Sequence, residues 1–176
     1  AKGHEVVVVD PYSKESFITE DGVKLIHVPK WNKGFRGLRL FQYRIPGLWK
    51  VFKKEKADYY YVRMRSYINL LPYLAAKKNK SKFIVGVASD LDVLNFRKKF
   101  KYNYKRNFNL FSLLTTHIPN DFIHHYLLKR SDFVMLQHSG QAFKEKHSKS
   151  RQFIYPNILE SCKNPMSTEK KEDYYL

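Results

Sequence analysis

The sequence predicts an α/β protein, a Rossmann-like three-layer sandwich built on a mainly parallel sheet. Two observations carry this. Short apolar runs stand at Val6–Val9, Val23–Val28, Tyr59–Val62, Phe83–Val87, Phe133–Leu136 and Gln152–Tyr155. They are apolar continuously rather than at every second residue, the pattern of strands covered on both faces. Longer stretches with apolar residues three and four apart fill most of the gaps, as β-α-β units require.

Val6–Val9 is a β-branched run stopped by Asp10-Pro11, since proline cannot donate to a ladder. Val23–Val28 is entered through the turn residues Asp21-Gly22 and stopped by Pro29. From Phe35 to Lys56, the residues Leu38, Phe41, Ile45, Leu48 and Phe52 make one helical stripe. Pro46-Gly47 should kink it or split it into two shorter helices. Tyr67–Asn79 reads as a helix with Ser66 as N-cap and Leu70, Leu71, Leu74 and Ala75 facing inward. Residues 107–130 read as largely helical, broken near Pro119, with Phe122, Tyr126 and Leu127 inward. A last helix is expected over Ser139–His147. Polar composition from Ser161 onward divides the chain into a domain over residues 1–160 and a linker or tail over 161–176.

Composition narrows the function classes. The 176 residues carry 33 Lys+Arg against 16 Asp+Glu, a formal net charge of +17. A hydrophobic fraction of 43% with 16% aromatics excludes a disordered polycation. No apolar run approaches the roughly 18–20 residues of a membrane span. The single Cys162 excludes an internal disulfide and a Cys-based zinc site, and suits a reducing compartment. Ala1–Glu5 lacks the apolar core of a secretory signal, so a cytoplasmic location is expected. His124 and His125 are adjacent and point apart, and no HExxH or i, i+4 histidine pair occurs, so no metal site is expected. Lys33-Gly34-Phe35-Arg36-Gly37 is a turn rather than a phosphate loop, because it fits neither glycine-rich pattern.

Four landmarks occur in order: Gly3-His4-Glu5-Val6-Val7-Val8-Val9, Lys56-Ala57-Asp58 running through Tyr59–Val62 to Arg63, Lys129-Arg130-Ser131-Asp132 before Phe133-Val134, and Tyr155-Pro156-Asn157. Together they resemble the N-terminal half of a GT-B-fold glycosyltransferase of family 4. The resemblance spans residues 3–157. It implies that a first strand, a Gly-rich loop and most of a helix precede Gly3, and that a second Rossmann domain follows Asn157. That second domain would hold the nucleotide-sugar donor. The fragment would then carry acceptor-side residues, need no cofactor beyond the donor, and be inactive alone. Where many members have a His-Asp pair after the fourth strand, this chain has Ser89-Asp90.

Ser89-Asp90-Leu91-Asp92 follows an apolar strand at its carboxyl end, where open α/β sheets place ligands. A carboxylate there can orient an acceptor hydroxyl or take its proton, and Asp90 is the expected catalytic residue. A loop aspartate that only caps a turn is the competing reading. Acceptor binding is expected from Arg63, Ser89, Asp92, His138 and Ser139. Arg65, beside Arg63, fits a salt bridge at least as well.

The charge gathers beside aromatics. Arg36, Arg39, Arg44, Lys50 and Lys54 fall opposite the Leu38 stripe. Arg97, Lys98, Lys99, Lys101, Lys105 and Arg106 alternate with Phe96, Phe100, Tyr102 and Tyr104. Such mixtures suit an anionic bilayer, each cation contributing about 1 kcal/mol. The expected membrane-facing set is Arg97, Lys98, Lys99, Phe100, Lys101, Tyr102, Lys105 and Arg106. The resemblance implies a lipid-linked acceptor and a peripheral position on the inner membrane face. The alternative is a basic nucleic-acid-binding α/β module, which the charge allows but no RNP, KH, zinc-finger or helix-turn-helix pattern supports. A single-domain Rossmann-like binding protein is the third reading.

Overall fold

A computed structural model describes residues 3–35, 38, 40–63, 65–94, 98, 101, 112–142 and 151–155. Strands β1 (Val6–Asp10), β2 (Phe17–Ile18) and β3 (Val23–His27) form one sheet in the order β1-β3-β2. Strands β4 (Tyr59–Arg63), β5 (Lys82–Gly86), β6 (Phe133–Leu136) and β7 (Arg151–Ile154) form a second, all-parallel sheet in chain order. The helices are α1 (Ile45–Lys54), α2 (Leu70–Asn79), α3 (Asp90–Val93) and α4 (Ile118–Arg130). The α/β class is as expected, but the strands divide between two sheets rather than one. Among the described residues β1 pairs with β3 alone, in parallel, and β4 is an edge of its own sheet.

Helix α1 ties the two sheets together. Val28, Trp31 and Leu48 form a small core with Val9, Val51 and Phe52 against it. Phe52 also packs with Trp49 on the larger core of Tyr60, Tyr73, Phe83, Val85, Leu127, Val134 and Leu136. Pro46 sits in the first turn of α1, where its missing N–H costs nothing, and Lys53 and Lys54 lie in the last turn. A wide helical turn over Leu40–Arg44 runs directly into α1, so in place of the expected break at Pro46-Gly47 the helix changes type at Ile45, one residue ahead of the proline. The first turn of the stripe is inverted relative to expectation. Leu38 and Phe41 are exposed, whereas Arg44 stacks over Trp31 at 4.8 Å and donates to its carbonyl at 3.2 Å. Aromatic stacking of a guanidinium offsets its loss of water, which hydropathy periodicity does not register.

Ser66 caps the turn leading into α2, its hydroxyl accepting from Ile68 N–H at 3.3 Å. The far end closes with Lys80 in the left-handed region (φ 57°), Ser81 N–H reaching the Ala76 carbonyl at 2.9 Å. Tyr73, Ala75 and Ala76 face inward and Leu74 outward. Pro119 likewise sits in the first turn of α4, after a wide turn over Leu113–His117. Asp121, His124, Leu127 and Leu128 are its buried side, while Phe122 is exposed and Tyr126 partly so.

Cross-strand register puts Tyr60, Val62, Phe83, Val85, Val134 and Leu136 on one face, and α1, α2 and α4 all pack there. The handedness of crossovers explains this. Each connection from β4 to β5 and from β5 to β6 steps the same way across the sheet, so right-handed crossovers leave their helices on one side. The opposite face was expected to be covered as well, yet Tyr59 and Tyr61 are 62% and 52% exposed there. That exposure belongs to the edge strand β4; on the same face Ile84, Phe133 and Met135 of β5 and β6 are half-buried.

Asp132 staples β6 to β5. Its Oδ2 accepts from Phe83 N–H at 3.0 Å and its Oδ1 pairs with Lys82 at 3.1 Å. Burial pushes its carboxyl up, but the Phe83 N–H and the Lys82 ammonium outweigh this and hold it below the ordinary value. A depressed carboxyl contributes stability above its unfolded pKa, and that contribution is lost as pH falls through the folded one. Asp132→Asn is therefore expected to reduce the stability lost between neutral pH and about pH 3. Urea unfolding at both values checks this; equal losses in the two proteins would refute it.

Candidate active site

The carboxyl ends of β5 and β6 adjoin, and Val87 N–H extends their pairing to the Met135 carbonyl at 2.9 Å. Past β5 the chain runs Val87-Ala88-Ser89 into α3. Past β6 it runs Gln137-His138 into a single tight turn, Ser139–Gln141. Two loops thus meet over the end of the sheet, each carrying polar side chains that no core position requires.

Asp92 shapes the first loop. Its Oδ2 accepts from Ala88 N–H and Ser89 N–H, both at 3.0 Å, and its side chain is buried. Ser89 is the N-cap of α3, and Ser89-Asp90-Leu91-Asp92 has the spacing of a capping box. The carboxylate expected to bind an acceptor is placed to satisfy the loop backbone instead, leaving Asp90 to face outward.

Asp90 projects from the first turn of α3 with 74% of its side chain exposed. Its Oδ1 receives two hydrogen bonds from the neighbouring loop, from His138 Nε2 at 2.9 Å and from Gln141 Nε2 at 2.9 Å. Gln141 first, then His138, hold the Asp90 carboxyl below its ordinary value, so it is ionised at neutral pH. Gln141 is only 1% exposed, and its Oε1 accepts from Gln137 N–H at 2.8 Å. A buried amide locked at its oxygen presents its NH₂ in a fixed direction. Sequence reasoning passed over Gln141, because an amide inside a short turn has neither periodicity nor motif to mark it.

The other expected residues divide. Ser89, His138 and Ser139 lie exposed around Asp90. Arg63 ends β4, exposed, in the row that pairs it with Gly86 of β5, so it stands on the same edge of the sheet. Arg65 instead makes an ion pair with Asp121 of α4 at 2.9 Å. Lys98 and Lys101 are exposed, while Arg97, Lys99, Phe100, Tyr102, Lys105 and Arg106 lie outside the described residues. So does the part of the expected last helix beyond Ala142.

A hollow of about 370 Å³ opens between Lys56, Asp58, Lys78 and Lys80. Those residues lead into the amino ends of β4 and β5, Lys78 from the last turn of α2, at the edge opposite Asp90. Among the described residues, no three His, Cys, Asp or Glu side chains group to hold a metal ion, and no helix is long and apolar enough to cross a membrane. Chemically, the Asp90 cluster offers a fixed carboxylate and an accessible imidazole, a set suited to orienting a hydroxyl and moving its proton. No protein family model, curated protein or solved structure matches the chain.

Proposed function

We propose that this chain is the acceptor-binding part of a nucleotide-sugar-dependent glycosyltransferase, of the GT-B kind that its landmarks resemble. The observation that carries the reading is the Asp90 carboxylate. It stands ionised and accessible at the carboxyl ends of parallel strands, clamped by a buried amide and an imidazole. Open α/β sheets place ligands at that edge, and a sugar hydroxyl needs a proton acceptor there to become a nucleophile. Asp90, with Ser89, His138, Ser139 and Arg63 about it, positions or deprotonates the acceptor. The donor sugar nucleotide binds mainly on a second domain, across the cleft.

The acceptor is lipid-linked in this reading, and the protein works peripherally at the cytoplasmic face of a membrane. The +17 charge supports that location, because anionic lipid attracts such a surface. The same charge is the one observation in favour of a nucleic-acid-binding module. The experiment incubates the whole protein with radiolabelled UDP- and GDP-sugars and a membrane lipid extract. Label entering a lipid or saccharide product is expected. No transfer from any donor, together with salt-sensitive binding of tRNA, would favour the nucleic-acid reading.

A further inference from the structure

The chain uses one local pattern twice. Helix α1 runs into Lys53-Lys54-Glu55-Lys56 and on to β4, and helix α2 runs into Lys77-Lys78-Asn79-Lys80 and on to β5. Because β4 and β5 are adjacent and parallel, the two turns lie side by side at the amino edge of the sheet. The Lys82 N–H joins them, donating to the Asp58 carbonyl at 2.9 Å. The polar lining of the 370 Å³ hollow between them is Lys56, Asp58, Lys78, Asn79, Lys80 and Ser81. Three ammoniums thus stand against one carboxylate. Among the described residues none of the three is ion-paired, and the neighbouring Glu55 and Asp132 are held by Lys24 at 2.8 Å and Lys82 at 3.1 Å. Complementing the helix dipole accounts for lysines in the last turns, Lys53, Lys54, Lys77 and Lys78. It does not account for Lys56 and Lys80, which stand past the last helical residues. Lys80 holds φ at 57°, a conformation that glycine adopts at less cost.

We propose that this hollow is a binding site for a compact polyanion, a diphosphate or short oligophosphate group. The proposal is independent of the transferase reading, since the hollow lies at the edge opposite Asp90. Like charges brought together repel, and the single Asp58 carboxylate offsets only part of that repulsion. A ligand carrying two or more negative charges offsets the rest. Lysine suits the task, because its ammonium is a point charge with three donors on a flexible stem. Three such groups can close on phosphate oxygens from two separate turns. Asn79 is fixed among them, its Nδ2 donating to the Tyr60 hydroxyl at 2.8 Å, and the Ser81 hydroxyl supplies a further donor. Among the described residues the lining has no aromatic ring to stack on a base and no arginine fork to fit a carboxylate. Recognition is therefore by charge density, indifferent to any organic group that the phosphates carry.

Calorimetric titration of the whole protein with inorganic tripolyphosphate tests the site. Saturable binding is expected, weakening as salt screens the charges. The variant Lys56→Gln/Lys80→Gly removes two of the three ammoniums and gives position 80 the residue its backbone favours. Its affinity is expected to fall at least about tenfold. Lys14→Gln/Lys30→Gly is the matched control: both lysines are exposed, and Lys30 also holds a positive φ, of 62°. It loses the same charge elsewhere and is expected to bind within about twofold of wild type. Equal weakening in the two variants means that net charge alone attracts the anion, and overturns the site. So does the absence of saturable binding to the wild-type protein at about 1 mM ligand. Acetylation of the wild-type lysines, followed by peptide mass spectrometry, gives a readout that needs no variant to fold. Tripolyphosphate is expected to slow Lys56, Lys78 and Lys80 several-fold and to leave Lys14 and Lys30 unchanged; uniform slowing overturns the proposal. A second arm adds vesicles of phosphatidylcholine with phosphatidic acid. Displacement of tripolyphosphate by these vesicles identifies a lipid headgroup as the source of the phosphate, and its retention identifies a free oligophosphate; either supports the site.

Discussion

Replacing Arg65 with alanine is expected to lower stability by about 3 kcal/mol. Arg65 leaves the end of β4 and reaches α4, where its Nη1 lies 2.9 Å from Asp121 Oδ1. The Asp121 side chain is 3% exposed, so removal of the cation takes away its charge partner where water does not readily replace it. The Arg65 side chain itself keeps some solvent contact, which holds the effect to the low end of what buried pairs show. A second bond reinforces the same junction: Asn120 Oδ1 accepts from Tyr67 N–H at 2.7 Å, just ahead of α2. Together these fix α4 against the loop that joins β4 to α2. Urea unfolding checks the value, as a lower midpoint at unchanged slope. The double variant Arg65→Ala/Asp121→Ala should recover part of the loss, because the buried carboxylate is removed together with its cation. A loss below about 1 kcal/mol in Arg65→Ala would show that water reaches Asp121 in solution.

Much of this architecture was legible from local chemistry. The strands announced themselves by β-branched runs bounded by Asp-Pro and Asp-Gly, and Ser66 by its position ahead of a helical stripe. Pro46 and Pro119 were expected to break helices, and each stands instead in the first turn of one. Arg65 was readable as a salt-bridge residue, and Asp121 completes that pair. What failed was non-local. Phe17-Ile18 is too short a run to register as a strand, and only its pairing with β3 makes it one. The separation into two sheets depends on which edges meet, which no residue pattern encodes. Leu38 and Phe41 fit a helical stripe but face solvent, Leu38 ahead of the wide turn and Phe41 on it, while Arg44 stacks on Trp31 in their place.

The candidate site was legible in part for the same reason. Asp90 and His138 follow strands 48 residues apart in the chain, and adjacent parallel strands bring such loops together. Their hydrogen bond, and the Gln141 clamp behind it, depend on loop geometry beyond the strand ends. Asp92 carried a readable signal that points away from ligand binding. Serine followed three residues later by an acid is a capping box, and the Asp92 carboxylate is spent on backbone N–H groups.

Asp90→Ala is the substitution on which the functional account turns. With its side chain 74% exposed, Asp90 contributes little to the core, and the variant is expected to keep the wild-type fold, at the cost of the acceptor for the Gln141 amide. Loss of activity would then report on the site rather than on folding. Without the carboxylate, the acceptor loses the group that orients its hydroxyl or takes its proton. Turnover is expected to fall at least about tenfold. The measurement is the initial rate of radiolabelled sugar transfer from a nucleotide-sugar donor by the whole protein, wild type against Asp90→Ala at equal folded concentration. A drop of about tenfold or more supports a catalytic centre on the β5 and β6 loops; an unchanged rate would contradict it.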